Sequence, residues 1–511
     1  MPAPRRVVRA SVQLGLLAFV VFLLVLFLDS RYGVLPQAVH NHLPSHHENL
    51  VITDITIQSC SSLNPISKCQ LDQEEWHRVE KDLYLGDGWV SRAYIHIKRK
   101  KEEELTDDDR VIVDVRTGKL DPAINDKTQA SEKWESRPAG IWIKRSAKRH
   151  ASDSKKTITA VDVLFGADAV ESRPGWELVP NGALHLDTGG EDKSPHIVIR
   201  RGQPAKIKKP VPTITKDGKF KIMQISDLHL STGVRPCRDP EPKDYHGGHC
   251  DADTRTLDFI ARILDDEKPD MVVLSGDQVN GGTAPDVPSA LFKITSLLIT
   301  RSIPFAPIFG NHDSESTLSR TLQMQLYESL PYSLSEAGPT SLDGSMGVGN
   351  YYVEVQAHSS KHSALTLYFL DTHSRSPDQK KYKGYDWVKE GQIKWFKKAA
   401  QGLKEAHSKY THIHLDMAFI HIPLPEYTIV SNDRVGEWKE GVTAPKYNSG
   451  FKTALVEEGV KVVSCGHDHA NEYCALSKDE KGEAELWMCY AGGREGGDME
   501  EGGVWGVGEE G

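Results

Sequence analysis

Phe305-Ala306-Pro307-Ile308-Phe309-Gly310-Asn311-His312-Asp313 is the stretch whose reading decides the fold. An apolar run of strand length passes without a break into a glycine and then into Asn, His and Asp. A run this short, closed by glycine, reads as a strand buried on both faces of a sheet. The residues after it are metal-ligand types. Other runs end alike. Ile222-Met223-Gln224-Ile225-Ser226 feeds Asp227-Leu228-His229, and Met271-Val272-Val273-Leu274-Ser275 feeds Gly276-Asp277. Met417-Ala418-Phe419-Ile420 feeds His421, and Val460-Lys461-Val462-Val463-Ser464-Cys465 feeds Gly466-His467-Asp468-His469.

Between these runs the apolar spacing changes to that of helices, as at Leu257, Ile260 and Leu264, then Val287, Leu291, Ile294 and Leu298. From about residue 206 the layout is therefore α/β, with a mostly buried sheet. In such sheets ligands bind beyond the carboxyl ends of the strands, so the equipped strand ends point to one site. Taken singly, Asp-x-His is common, Gly-Asp is usually a turn, and a lone His421 reads as structural. Together and in this order they form a ligand set of Asp, His, Asp, Asn and three more His, with no thiolate. That donor chemistry suits Mn, Fe or Zn, and the number of ligands suits two ions. The glycines allow the sharp turns that bring each ligand close.

The chain has 511 residues, 38% of them hydrophobic, with 62 Lys plus Arg and 72 Asp plus Glu, which excludes a wholly disordered acidic protein, a collagen and a small disulfide knot. Residues 1–50 carry four basic and two acidic groups and residues 51–205 carry 24 and 26, so the formal charge of -10 lies wholly after them. An acidic surface there argues against nucleic acid as a partner. It leaves room for a site made positive by bound ions.

Arg5, Arg6 and Arg9 precede an apolar run from Leu14 to Leu28, and Asp29-Ser30-Arg31 follow without a small-x-small cleavage pattern. This predicts a signal anchor, with a cytosolic tail over 1–10, a transmembrane helix over 11–28 and the remainder lumenal or extracellular. The alternative is a cleaved signal peptide and a secreted protein. Of seven cysteines, Cys60 with Cys69 and Cys237 with Cys250 bracket short polar loops as local disulfides would, and the odd one is expected to be a buried thiol. No Asn-x-Ser/Thr acceptor occurs, which withholds one sign of a lumenal domain.

Residues 29–50 read as a polar stalk. Over 51–205 a pattern recurs: an alternating strand, a Trp, then a second strand ending in two basic residues. The copies run from Val51 through Trp76 to Lys98-Arg99, from Val111 through Trp134 to Lys144-Arg145, and from Ile158 through Trp176 to Arg200-Arg201. Such a repeat predicts a small all-β accessory domain with threefold pseudo-symmetry, similar to a β-prism, whose Trp residues fill a shared core. The basic pairs either face lipid headgroups or are solvated strand ends. Residues 493–511 are Gly- and Glu-rich and predict disorder.

The set Asp227-x-His229, Gly276-Asp277, Gly310-Asn311-His312-Asp313, His421 and Gly466-His467-x-His469 resembles the calcineurin-like metallophosphoesterases. The closer resemblance is to their fungal and plant Dcr2-type phosphatase branch, related to purple-acid-phosphatase-like proteins. Leu330-Pro331-Tyr332-Ser333, Gly384-Tyr385-Asp386-Trp387 and His421-Ile422-Pro423-Leu424-Pro425-Glu426-Tyr427 carry that closer likeness. The resemblance covers roughly residues 215–492 and implies a sandwich of two mixed sheets flanked by helices. It implies that Asp227, His229 and His469 hold one ion, that Asn311, His421 and His467 hold another, and that Asp277 bridges them. His312 would stabilise the transition state or protonate the leaving group, with Asp313 orienting it.

The implied activity is hydrolysis of phosphate monoesters, either phosphoserine or phosphothreonine proteins or small phosphate esters. A phosphodiesterase on the same site and a catalytically weak membrane-anchored binding module are the alternatives. Two departures stand out. Asn280 occupies the place of the purple enzymes' tyrosine ligand and His229 the place of a glycine, which removes the basis for a tyrosinate-bound ferric ion. Past Cys489-Tyr490-Ala491-Gly492-Gly493, where the resemblance predicts a further basic strand, the sequence turns Gly- and Glu-rich.

Overall fold

The computed structural model describes residues 50–61, 69–86, 91–106, 108–122, 134–146, 155–188, 193–237, 245–409, 414–429 and 433–491. The expected cytosolic tail, spanning helix and Gly/Glu-rich tail, and all of the expected stalk but Leu50, lie outside these residues. Among the described residues no helix is long and apolar enough to cross a membrane. Two compact units divide the chain: the first takes residues up to Asp162 with Val179–His185 and Ile199–Gln203, and the second takes Val163–Leu178, Leu186–Val198 and everything from Pro204.

The alternating segments of the N-terminal part form three-stranded sheets. β1 (Leu50–Ser61), β2 (His77–Arg78) and β3 (Ser91–Lys101) are ordered β1-β3-β2. β4 (Ile112–Thr117), β5 (Trp134–Arg137) and β6 (Ile141–Arg145) are ordered β4-β6-β5. β7 (Ile158–Phe165), β8 (Trp176–Leu178) and β9 (Pro195–Arg201) are ordered β7-β9-β8. The inward residues of the first two, among them Ile52, Ile55, Ile95, Ile112, Val115, Ile141 and Ile143, are buried. Matching register shifts fall between Ile52 and Asp54 and between Ile112 and Asp114, so Thr53 and Val113 occupy equivalent bulges.

These bulges give the second basic residue of two of the pairs a partner that neither expected role foresaw. Arg145 Nη1 donates to Thr53 O at 2.6 Å while its Nη2 lies 2.9 Å from Asp54 Oδ2. One repeat later, Arg201 Nη1 donates to Val113 O and its Nη2 to Asp114 Oδ1 at 3.1 Å. The second basic residue of these pairs thus clasps the bulge of the preceding repeat. In the first two repeats the first basic residue covers the Trp of its own copy. Lys98 Nζ is 4.8 Å from the Trp76 ring centroid and Lys144 Nζ 5.7 Å from that of Trp134. The Trp76 and Trp134 rings are half-buried beneath these cations instead of filling a shared core. An indole N–H needs a polar outlet, which a fully apolar centre does not offer.

The second unit is layered. β10 (Ile222–Ile225), β11 (Met271–Ser275) and β12 (Phe305–Ile308) form an all-parallel sheet, where a mixed one was expected. The other sheet is mixed and seven-stranded, ordered β13-β14-β15-β17-β19-β18-β16. Its strands are β13 (Tyr351–Gln356), β14 (Ser363–Phe369), β15 (Leu415–Phe419), β16 (Arg434–Glu437), β17 (Val462–Cys465), β18 (Glu472–Lys478) and β19 (Ala484–Tyr490).

Period-2 alternation divides each buried strand between two cores. Met271 and Val273 face Tyr351, Val353, Leu367 and Phe369 across the sandwich. Val272 and Leu274 face α1 (Ala252–Glu267), α2 (Val287–Thr300) and α3 (Arg320–Glu328), through Ile260, Leu264, Leu291, Ile294 and Met324. On the far side, Ala418, Val463 and Met488 pack on α4 (Glu390–His407) and α5 (Phe451–Glu458), through Phe396, Ala400, Phe451 and Leu455. Helix α2 starts where Asp286 accepts the Ser289 N–H at 3.1 Å, with Pro288 in its first turn.

The structure joins Cys60 to Cys69 and Cys237 to Cys250 and leaves Cys465 buried and free. It also joins Cys474 to Cys489, which face each other across β18 and β19.

Candidate metal centre

Three parallel strands deliver their ligands by backbone turns just past the ladder. The Asp227 N–H donates to Gly276 O, and the His229 N–H to Asp277 O, each at 3.0 Å. Asp227, His229, Asp277 and His467 all take the left-handed backbone region, with φ of 57°, 48°, 51° and 78°. Each such conformation costs about 1–3 kcal/mol in a non-glycine residue, a cost that clusters at functional sites. Gly276 and Gly310 are required by space: a Cβ on the first would overlap His421 Nδ1, and on the second Asp277 Oδ1.

The expected ligands converge in overlapping groups whose donor atoms lie within 4.8 Å of one another. Asp227, His229 and His469 make one: His229 Nε2 is 3.3 Å from His469 Nε2, which is 3.5 Å from Asp227 Oδ1. Asp277, His421 and His467 make another, with His421 Nε2 at 3.2 Å from Asp277 Oδ2 and 3.9 Å from Asp227 Oδ1. Asp277 also groups with His229 and His312, and so stands between the two sets. Asn311 lies at the same strand end as His312 and is 4% exposed.

Whether these residues suit metal ions is answered by their unmet donors. Asp227 Oδ1, Asn311 Oδ1, His421 Nε2 and His467 Nε2 are buried and have no hydrogen-bond partner. Unpaired buried polar atoms cost about 1–3 kcal/mol each, so a group of them in one pocket suits a cation as their shared partner. His421 Nδ1 is 2.9 Å from Ser275 O, a pure acceptor, which puts a proton on Nδ1 and turns Nε2 toward the centre. The donor set of imidazole and carboxylate fits the expected ions.

Electrostatics agree. Burial would raise Asp277, but His421 overrides it and holds the carboxyl down at about 2. Asp227 is likewise held low against its burial, by His421 and then His469. Burial would lower His421, but Asp277 and Asp227 raise it to about 9. Burial and then His421 push His467 down to about 3. The pocket thus stabilises positive charge in the absence of an ion, and ion binding competes with that proton.

Asp313 does not orient His312. Its carboxylate accepts the backbone N–H groups of Gly310, Asp277 and Val279 at 2.7, 2.9 and 3.1 Å, locking the β11 and β12 ligand loops together. Burial, then the charge of Asp277, raises it to about 6. The residue beside His312 is Glu315, whose Oε2 lies 2.7 Å from His312 Nδ1. His312–Ser314 forms a 3₁₀ turn, which brings residues three apart onto one side. Arg320 is a further unforeseen member. It donates to Gly310 O at 2.5 Å and to His373 O at 2.9 Å and pairs with the fully buried Asp371.

Comparison with known proteins follows the same residues. The calcineurin-like phosphoesterase family model matches residues 220–471. Phosphatase DCR2 of Saccharomyces cerevisiae is 38% identical over 359 residues, 66% of this chain and 58% of its own length. The match thus spans less than two thirds of that yeast protein. An uncharacterised protein of Schizosaccharomyces pombe is 31% identical over 461 residues, covering 87% of this chain and 80% of its own. A probable inactive purple acid phosphatase of Arabidopsis thaliana is 36% identical over 293 residues, covering 54% of this chain and 71% of its own. The chain belongs to the calcineurin-like phosphoesterases.

Proposed function

We propose that this chain hydrolyses phosphate monoesters with two ions of the Mn, Fe or Zn type. The observation that carries the reading is the set of buried, unpartnered donor atoms at the strand ends: Asp227 Oδ1, Asn311 Oδ1, His421 Nε2 and His467 Nε2. Asp227, His229 and His469 would hold one ion and Asn311, His421 and His467 the other, with Asp277 shared. Bound there, the ions would supply the Lewis acidity that binds a phosphate ester and acidifies water.

The chain's own groups do the rest. Ser275 O keeps the His421 ring turned inward. Asp313 and Arg320 hold the Asn311 loop in place from behind. Glu315 accepts a hydrogen bond from His312 Nδ1–H, so His312 offers Nε2–H to a leaving-group oxygen. The probable inactive label of the plant relative is not carried over, because every ligand position here holds a competent donor. The Cys60–Cys69, Cys237–Cys250 and Cys474–Cys489 disulfides support a lumenal or extracellular placement, with residues 11–28 as the anchor.

The test is release of inorganic phosphate by the full-length chain loaded in turn with Mn, Fe and Zn. The substrates are an aryl phosphate, a phosphoserine/phosphothreonine peptide panel and an aryl diester. The reading expects the monoesters to turn over at least about tenfold faster than the diester, a difference of about 1.4 kcal/mol in barrier. A faster diester, or no phosphate release with any ion, overturns it.

A further inference from the structure

The loop between β14 and α4 brings to the metal centre two side chains that none of the roles above employ. Its ends pair like a short hairpin, with Arg375 facing Tyr385 in an antiparallel bridge. The Ser376 N–H donates to Gly384 O at 3.0 Å and the Asp386 N–H to Ser374 O at 2.9 Å, so both backbones are fixed. The Tyr385 ring stands edge-on to the His467 imidazole, with centroids 4.3 Å apart and planes at 88°. The Arg375 guanidinium lies over the same ring, 5.4 Å from its centroid. A row thus runs from an exposed cation through a half-buried phenol to a candidate metal ligand.

Neither polar group is used up inside the protein. Among the described residues the Tyr385 hydroxyl makes no hydrogen bond and Arg375 no ion pair. The acids of the same loop are occupied elsewhere. Asp378 accepts the Lys380 and Lys381 N–H groups at 3.2 and 3.0 Å, and Asp386 pairs with Lys389. Burial raises the pKa of Tyr385, Arg375 opposes it, and the carboxylates of Asp277, Asp468 and Glu315 add to the rise. The hydroxyl therefore lies within the fields of Asp277, which stands between the ligand groups, and of Glu315, the partner of His312.

A free donor and a free cation side by side suit an anion with several oxygens. A guanidinium is the side chain best shaped for phosphate, and a hydrogen bond to a charged acceptor is stronger than one between neutral groups. The choice of anion follows from charge. A phosphate monoester dianion brings two charges and three terminal oxygens, whereas a diester brings one charge and two. One donor and one cation added beside the ions therefore favour the monoester. Building on the phosphatase reading, we propose that Tyr385 and Arg375 are specificity-determining residues for it. Tyr385 Oη–H donates to a terminal oxygen of the bound phosphoryl group, and Arg375 offsets the second charge that distinguishes a monoester from a diester.

The test uses the full-length chain loaded with Mn and compares the parent with Arg375→Met, Tyr385→Phe and Lys380→Met, the last removing an exposed cation of the same loop. Calorimetry measures binding of inorganic phosphate, and kcat/KM is taken for an aryl phosphate and an aryl diester. Metal content, expected equal in all four proteins, reports that the ions stay. Arg375→Met is expected to bind phosphate about tenfold or more weakly and to lower the monoester-to-diester ratio of kcat/KM by about as much. Tyr385→Phe keeps its ring on His467 and should lose about three- to tenfold in phosphate affinity. Lys380→Met should stay within about twofold of the parent. Phosphate affinity within about twofold of the parent in both Arg375→Met and Tyr385→Phe overturns the proposal. So does a loss in Lys380→Met as large as that in Arg375→Met, or an equal loss on monoester and diester. A parent that binds phosphate yet favours the diester overturns the phosphatase reading alone, and the binding comparison then decides this inference. A parent that binds no phosphate overturns both.

Discussion

The Nδ1 of His312 lies 2.7 Å from Oε2 of Glu315, so the pair expected between His312 and Asp313 is replaced by one three residues apart. If His312 protonates the leaving group, Glu315→Gln withdraws the charge that steadies its imidazolium. The expected loss is about 10–100-fold in kcat for an alkyl phosphate, and less for a nitrophenyl ester whose leaving group needs no proton. His312→Gln should cost about 10²–10⁴-fold with the same dependence on the leaving group. Equal losses on both substrates would remove His312 from the proton's path.

Asp313 gives a contrasting case, because it holds backbone. Its carboxylate takes the N–H groups of Gly310, Asp277 and Val279, and Asp313→Ala leaves all of them buried without an acceptor. At about 1–3 kcal/mol each, the variant should lose several kcal/mol of stability and bind its ions more weakly. Chemical denaturation with and without chelator measures both effects.

Arg320 and Asp371 set a pH dependence. Burial would raise Asp371, but the Arg320 guanidinium holds it below the usual carboxylate range. A carboxyl depressed in the folded state adds stability above its unfolded value of about 3.9, and that contribution is lost as pH falls through the folded value. Arg320→Met should therefore destabilise by about 3–5 kcal/mol at neutral pH, since it strands a buried charge. The gap from the parent should narrow below about pH 4. Paired unfolding curves from pH 3 to 7 test the sign.

In the N-terminal sheets, Arg145→Met should release Asp54 and the Thr53 carbonyl together. A double-mutant cycle with Asp54→Asn is expected to show coupling of about 1 kcal/mol, with phosphate release unchanged.

How legible the molecule was in its sequence depended on the range of the contacts. The candidate ligands Asp227, Asp277, Asn311 and His421 were readable because each follows an apolar run, and parallel strands deliver them at one end. The first two disulfides were readable because Cys60 and Cys69, like Cys237 and Cys250, close short loops. Cys474 and Cys489 were not, since only the antiparallel pairing of β18 with β19 sets them opposite one another. Glu315 stayed hidden because it acts through a 3₁₀ turn that no periodicity announces. The three Trp and basic-pair repeats were visible as a pattern, but the partners of Arg145 and Arg201 were not. Arg145 and Arg201 reach into the preceding repeat, and local spacing carries no trace of such a partner.

Asp277 stands between the two candidate ligand groups. Phosphate release from an aryl phosphate by the full-length, metal-loaded chain, measured beside Asp277→Asn at equal protein concentration, tests the account most directly. The account predicts release by the parent, its loss on chelation, and a fall of about 10³-fold or more in the folded variant. A folded Asp277→Asn protein that releases phosphate at the parent's rate would contradict it.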